Sequence, residues 1–486
     1  MPKTAEDFPG ITESRRRHAL LICLVAAFMT LLDISIVTVA LPSMERSLHL
    51  SAADVSWAVA GFALTFGLTL VPAGRLGDQY GRRRLFLIGL SLFAITAAVC
   101  GAAPDATVLI VGRLCRGVAA GLLAPQVIGL MQQMYRGPGR GKVFGYYGAT
   151  VGLSTAIGPL LGGVILQVFG TAGGWRFVFY LSVPVVVVTL AFAFRVLPAD
   201  QPGRAPHAPD LVGALLLGLG IVAIMLPLLQ ATGARAHPRF WLFAAGAALL
   251  AGFTFWERRL RSRGGYPLVN TKLLTIRSYS VGTMIAAAFY SGFTGIFLVI
   301  TLFFQQGLGY SALQAALSTL IFTVGSAASA IISGRIVHRT GRRTVVIGSG
   351  VAALGLAAAA LAVYRWTGPD TPLILAGPLL VAGCGCGFVI SANQTLTLNE
   401  ITRADAGVAA GVYETGQRIG TALGTALASA LFFGELARTY GDFHAAAGLG
   451  LVSPAVLVGV AFLIGLVDIL RPARRRTAGV DIEVAS

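Results

Sequence analysis

Charge is scarce in this chain: Asp, Glu, Lys and Arg make up 12% of 486 residues, 56% are hydrophobic, and mean hydropathy is +0.78. A soluble domain cannot clothe its surface with so few polar groups, so that class is excluded. Acids are scarcer than bases, 20 against 37, which leaves a net charge of +17. The surplus does not mark a nucleic-acid partner, because the cations are dispersed through short loops between apolar runs and form no basic domain. Cysteine is limited to Cys23, Cys100, Cys115, Cys384 and Cys386, all inside apolar runs. Cys384 and Cys386 are two apart and point in different directions on a helix, so they read as packing residues rather than metal ligands or a disulfide. The G-x-x-x-x-G-K-[ST] phosphate loop is missing, so ATP hydrolysis by this chain is not expected to supply energy. G-x-S-x-G and H-E-x-x-H are also missing, and none of the six histidines lies deep in an apolar run, which disfavours an intramembrane enzyme.

What the chain has is long apolar runs, near 19–41, 55–73, 85–103, 107–131, 143–168, 177–197, 210–230, 239–256, 279–305, 312–334, 344–364, 372–397, 407–433 and 451–470. Runs of about 18 or more residues predict membrane-spanning helices, because hydrocarbon offers no partner to a bare peptide group. About fourteen spans put both termini on one side. The first run contains Asp33 and has no A-x-A cleavage site, so it is read as a retained helix and not a signal peptide. Sorting the basic residues by loop gives 28 on the side of the termini and six on the other, Arg46, Arg176, Arg235, Arg239, Arg365 and Arg438. Arg113, Arg116 and Arg418 remain within spans. That asymmetry predicts cytoplasmic termini.

The chain repeats itself. GRLGDQYGRR at Gly74–Arg83 recurs as GRIVHRTGRR at Gly334–Arg343, an offset of 260 residues, with His338 in the place of Asp78. Each copy follows the second helix of a six-helix block. The expected organisation is a six-helix bundle over 1–197, a Pro-rich linker with two inserted helices over 198–277, and a second six-helix bundle with a basic tail over 278–486. The expected fold is all-α and polytopic. Within the repeated loop, Gly74 and Gly81 allow tight turns, and Asp78 can pair with Arg82 or meet a helix N-terminus. Such a cluster would latch one conformation, where a plain solvated loop would do nothing of the kind.

A carboxylate in the first apolar run needs a reason. Asp33 lies 14 residues after Ala19, roughly 21 Å along a helix axis, at or past the middle of a bilayer. A lone charge facing lipid there is expensive, so Asp33 should face a partner or a wet cavity, and Arg113 lies at comparable depth. The pair reads either as a fixed structural bridge or as a proton-carrying site. Glu414 and Arg418 are four apart, acid first, which reads either as a self-neutralising pair or as a second acid available to a cation or a proton. Trp57 reads as an interfacial aromatic. Gln126, Tyr290, Asn393 and Gln394 are polar near mid-span and serve either a cavity or helix packing, and Asp468 should reach the interface or a loop arginine.

Several stretches resemble one family in order along nearly the whole chain. GRLGDQYGRR resembles the loop motif of the major facilitator superfamily. LDISIVTVALP at Leu32–Pro42, RLCRG at Arg113–Gly117, GPLLGG at Gly158–Gly163 and WRFVFYLSVP at Trp175–Pro184 resemble motifs of its fourteen-helix drug–proton antiporters. FFQQGLGYSALQAAL at Phe303–Leu317 and AGVAAGVYETGQRIGTALG at Ala406–Gly424 resemble segments of that family's second half. Here Arg116 replaces the family's Gln, Ser182 its Asn, and Glu414 an Asn.

The resemblance implies two six-helix bundles plus two inserted helices, and export of amphipathic, aromatic or cationic small molecules driven by the proton gradient without a cofactor. The residues themselves point to coupling at Asp33, Arg113 and Glu414, and to a latch of Gly74, Asp78, Gly81, Arg82 and Arg83. The antiporter motif would be Gly158, Pro159, Gly162 and Gly163, facing the other bundle and bending at Pro159. The cavity would draw on Asp33, Trp57, Gln126, Tyr290, Asn393 and Glu414. Expected partners are the small-molecule substrate, protons and the lipid bilayer, for a monomer in the cell membrane. The alternatives are proton-coupled nutrient uptake, which the helix 5 motif disfavours, and an intramembrane enzyme on lipid-linked substrates.

Overall fold

The computed structural model describes residues 12–170, 172–200, 210–230, 240–368, 370–402 and 405–470. Residues 201–209 of the expected linker, the basic tail 471–486, and Arg235, Arg239 and Arg403 of the charge count lie outside the described residues. The first block of helices is α1 (Glu13–Leu48), α2 (Ala52–Tyr80), α3 (Arg82–Ala102), α4 (Ala106–Met134), α5 (Gly137–Phe169), α6 (Trp175–Tyr180) and α7 (Ser182–Val196). An inserted pair follows, α8 (Leu211–Gln230) and α9 (Trp241–Ser262). The second block is α10 (Arg277–Leu302), α11 (Ala312–Thr340), α12 (Arg342–Arg365), α13 (Thr371–Thr397), α14 (Ala406–Arg438) and α15 (Phe443–Leu470). There is no strand among the described residues.

α6 and α7 together make one span, Trp175–Val196. With it, 13 helical segments among the described residues are long and apolar enough to cross a membrane. The expected span at 239–256 is α9, which falls short of that apolarity because Glu257, Arg258, Arg259 and Arg261 crowd its last turns. Large apolar side chains such as Ile88, Ile95, Phe192 and Leu354 point outward, as a lipid-facing surface requires. This is a multi-pass membrane protein.

The internal repeat is deeper than the loop motif. α2 and α11 are both 29 residues long, and each ends in its copy of the motif. Each also begins with a capping box at the same 260-residue offset, Ser51 with Asp54 and Ser311 with Gln314. The second helix of each block is thus fixed at both ends by equivalent positions.

Packing follows the repeat. In the first block α2 lies on α4, α1 on α5, and α3 on α4 and α7. In the second, α11 lies on α13, α12 on α13 and α15, and α10 on α14 and α15. The blocks meet through α5 on α11 and α2 on α14, the fifth helix of one block against the second of the other. In lipid, such contacts rely on close approach of small residues. A Cβ on Gly141 would lie 2.4 Å from the carbonyl oxygen of Gly334 across the α5–α11 seam.

α8 touches both α2 and α14, so the inserted pair straps the second seam from outside. Asp210 caps α8 at Gly213 N and accepts from the Trp256 ring nitrogen, which joins the pair. Buried Glu257 accepts from the Leu268 and Val269 amides and ties α9 to the chain leading into α10.

Candidate functional site

Asp33 faces inward from α1, and its two oxygens are taken by two arginines of α4. Arg113 Nη1 donates to Oδ2 and Arg116 Nε to Oδ1, each at 2.7 Å. The three side chains are 4%, 2% and 0% exposed. Further donors of both guanidiniums are matched. Arg113 Nε bonds the Ala58 carbonyl and its guanidinium lies 4.4 Å from the centroid of Phe62. Arg116 Nη1 bonds the Phe93 carbonyl, Nη2 bonds Ser182 Oγ at 3.1 Å, and the group lies 3.8 Å from the Phe93 ring.

Sequence reading brings Arg113 to Asp33 and misses Arg116 as a partner. The signal available was the i,i+3 spacing, which puts both arginines on one face of α4. Two departures from the family pattern, Arg116 and Ser182, touch each other here.

The second acid is held differently. Glu414 is 2% exposed, and its Oε1 accepts from the Tyr147 hydroxyl of α5, in the opposite block, at 3.4 Å. Oε2 has no hydrogen-bond partner. Of the two alternatives, the self-neutralising pair with Arg418 is not the one seen. Arg418 turns instead onto Phe66 of α2, its guanidinium 4.5 Å from the ring centroid, and its buried Nε is unpartnered. The spacing permits the pair, but each side chain reaches across the seam to the other block. Half-buried Tyr290 of α10 joins this cluster, with its ring edge-on to Phe289 and Phe293.

The repeated loop bonds both its own block and the other one. Arg82 bonds Asp78 Oδ1 at 2.7 Å and the Gly129 carbonyl. Asp78 also accepts from the amides of Gly407 and Val408 at 3.0 Å, at the N-terminus of α14 in the other block. A carboxylate is favoured there because the first turn has unpaired N–H groups and the positive end of the helix dipole. The blocks touch at this point: a Cβ on Gly74 would lie 2.2 Å from the Gly407 oxygen.

Gly81 has φ 106°, and α3 has no cap of its own. Asp200, beyond α7, supplies one by accepting from the amides of Arg83 and Arg84, while the Arg83 side chain bonds the Phe194 carbonyl. Sequence reading missed Asp200, whose only local context is a Pro-rich linker. In the second copy His338 is exposed, and Arg342 finds its acid elsewhere, in Asp468 near the end of α15. Arg277 shares that carboxylate, as expected of Asp468.

Of the two alternatives for Gln126 and Asn393, helix-packing hydrogen bonds are the ones seen. Gln126 is fully buried and donates to the Ala73 carbonyl, packing α4 on α2. Asn393 bonds the Gly282 carbonyl and accepts from Arg342, inside the second block. Trp57 is 44% exposed near the start of α2, at the opposite end from Asp78.

The antiporter motif does not present one face to the other block. A Cβ on Gly158 would meet Ser35 Oγ at 2.0 Å, and Gly162 meets Ile36 and Val39, so both pack on α1 of their own block. Gly163 is the motif glycine that faces α11, near the Leu313 amide, and α5 runs as one helix through Pro159.

A family profile described as Major Facilitator Superfamily matches residues 23–425 and 281–480. The chain belongs to the major facilitator superfamily. It is 35% identical over 430 residues to the "Probable actinorhodin transporter" of Streptomyces coelicolor, covering 87% of this chain and 73% of that protein. It is 33% identical over 465 residues to the "Puromycin resistance protein pur8" of Streptomyces alboniger, covering 93% and 90%. It is 29% identical over 471 residues to the "Tetracenomycin C resistance and export protein" of Streptomyces glaucescens, covering 96% and 85%. In fold it is similar to the human organic anion transporter MFSD10 (TETRAN), with a TM-score of 0.67 at 15% identity over 93% of this chain and 99% of that one. The proton:xylose symporter XylE gives 0.65 at 16%, over 93% and 95%. The chain is a transporter, not an enzyme.

Proposed function

We propose that this protein exports amphipathic, antibiotic-like small molecules in exchange for protons by alternating access. The observation that carries this reading is Glu414, a buried acid at the seam between the blocks with one oxygen unpartnered and the other bonded across the seam to Tyr147. Adding a proton to such a group, or bringing a substrate cation to it, changes a contact that joins the two halves, which is what coupling needs. Glu414 is the carrier we favour. Asp33 with Arg113 is the other candidate, but both its oxygens are held by guanidiniums here, so one arginine would have to leave before it took a proton.

The moving halves are residues 1–197 and 278–486, with 198–277 as the connection between them. Asp78, Arg82 and the Gly74–Gly407 contact latch the cytoplasmic end, with Gly81 and Arg83 setting the start of α3. Both termini lie in the cytoplasm of a cell-membrane monomer. Two relatives named for resistance and one of them for export support the outward direction.

The test is accumulation in inverted membrane vesicles under an imposed pH gradient, with puromycin and tetracenomycin C among the compounds offered. Uptake that collapses when the gradient is dissipated is expected for at least one compound. Accumulation that needs ATP, or that runs in the opposite direction, contradicts the reading.

A further inference from the structure

Arg418 raises a question that the coupling scheme leaves open. A guanidinium one helical turn from a buried carboxylate would ordinarily bind it, since i,i+4 side chains are neighbours about 5–6 Å apart at Cβ. Here it does not. Arg418 is half-buried, lies over Phe66, and makes no hydrogen bond or ion pair with the described residues. Its stem lies alongside α2, where a Cβ added at Gly67 would come within 3.9 Å of the Arg418 Cβ.

Among the described residues, Arg418 is the cation that acts on Glu414. α5 contributes Tyr147, α10 Tyr290, α14 itself Tyr413 and Arg418, and α13 places Cys386 near Tyr290. α2 contributes Phe66 here and Asp78 at its far end, where it is committed to Arg82. Of the arginines of α4, Arg113 and Arg116 are committed to Asp33. α8 has no titratable side chain, and those of α15, His444 and Asp468, lie at its ends. An ionised carboxylate left alone at this depth is costly, so the arrangement seen is that of the neutral acid with its cation set aside.

We infer that Arg418 is a built-in counter-cation for Glu414, with two resting places. When Glu414 carries a proton, Arg418 lies on Phe66 of the opposite half. When Glu414 gives up the proton and no substrate is present, Arg418 swings one turn to the carboxylate. Proton, Arg418 and the substrate's cationic group are three alternatives at one acid. Arg418 is therefore a positioning residue, and it keeps the empty carrier from leaving a bare buried charge. The inference rests on Glu414 being the proton carrier, and it assigns the substrate a cationic group able to displace a guanidinium. It also gives Phe66 a role, as the aromatic face that holds the displaced cation.

The test reads the carboxyl itself, without substrate, so that it stands apart from transport. The infrared carbonyl band of protonated Glu414, assigned by its loss in Glu414→Gln, is titrated against pH in purified full-length protein. Arg418→Gln removes the counter-cation and should move the midpoint to higher pH by about one unit or more. Phe66→Leu keeps the volume but removes the aromatic rest, so it should move the midpoint the other way, by about half a unit. Opposite shifts support the switch. A midpoint that Phe66→Leu leaves unchanged or raises overturns it, because a merely adjacent arginine would respond to Arg418→Gln alone. If the shifts occur but no compound is driven by a pH gradient, the switch stands and the export reading fails.

Discussion

Asp33 and Glu414 are both carboxylates buried in long helices, at 4% and 2% exposure, and each lies close to arginine. At Asp33 the network is closed. Two guanidiniums take both oxygens, and their other donors find carbonyls, a hydroxyl and two aromatic faces within one block. At Glu414 it is open, with one weak bond across the seam and the arginine turned away. A buried ion pair is costly to break and adds little motion, whereas an acid shared between two bodies can report on their separation. The same residue types therefore make a closed network in one place and an open one in the other, which we read as a strut and a movable joint.

The largest effect is expected where the strut is cut. Asp33→Asn leaves two buried guanidiniums without a counter-charge, a loss of about 3–5 kcal/mol by comparison with other broken buried pairs. The yield of folded protein in detergent and its thermal midpoint should fall sharply. Adding Arg116→Gln, which removes one of the stranded charges, should recover part of both. A stable Asp33→Asn with intact stability would show that the closed network is not a strut.

Next comes the latch. Asp78→Asn keeps the shape but loses the charge that faces Arg82 and the first turn of α14, about 1–3 kcal/mol of the closed end. Transport in reconstituted vesicles should drop while substrate binding in detergent stays within about twofold. His338→Ala, at the exposed equivalent in the second copy, should change neither.

Among changes to the buried acids and their partners, the smallest effect is expected for Arg116→Gln alone. It gives up the bonds to Asp33, the Phe93 carbonyl and Ser182 but leaves a one-to-one pair with Arg113, so the thermal midpoint should fall by less than in Asp33→Asn and pH-driven transport should persist. Complete loss of transport in a folded Arg116→Gln protein would make the strut part of the coupling.

Much of the fold is legible in the sequence. Apolar runs of bilayer length and the 260-residue repeat carry the architecture, because lipid leaves a chain few alternatives. Asp33 stood out for the same reason, and Arg113 followed from depth. The remainder depended on contacts between blocks. Nothing local in α14 says that Phe66 and Tyr147 compete for Arg418 and Glu414, so the favourable spacing suggested a pair that does not form. Asp200 caps a helix more than a hundred residues away, which no nearby pattern announces. Gly158 and Gly162 fit tight packing whichever helix they meet, so small residues alone did not say that the helix is α1.

The central claim is that Glu414 carries the coupled proton. Its most direct test compares two assays on one Glu414→Gln preparation in vesicles: accumulation of substrate on a pH gradient, and exchange of labelled for unlabelled substrate with no gradient. The account predicts that gradient-driven accumulation is lost and exchange persists, because the carrier still changes conformation but has nowhere to put the proton. Accumulation at the unmodified rate would contradict it and return the coupling to Asp33.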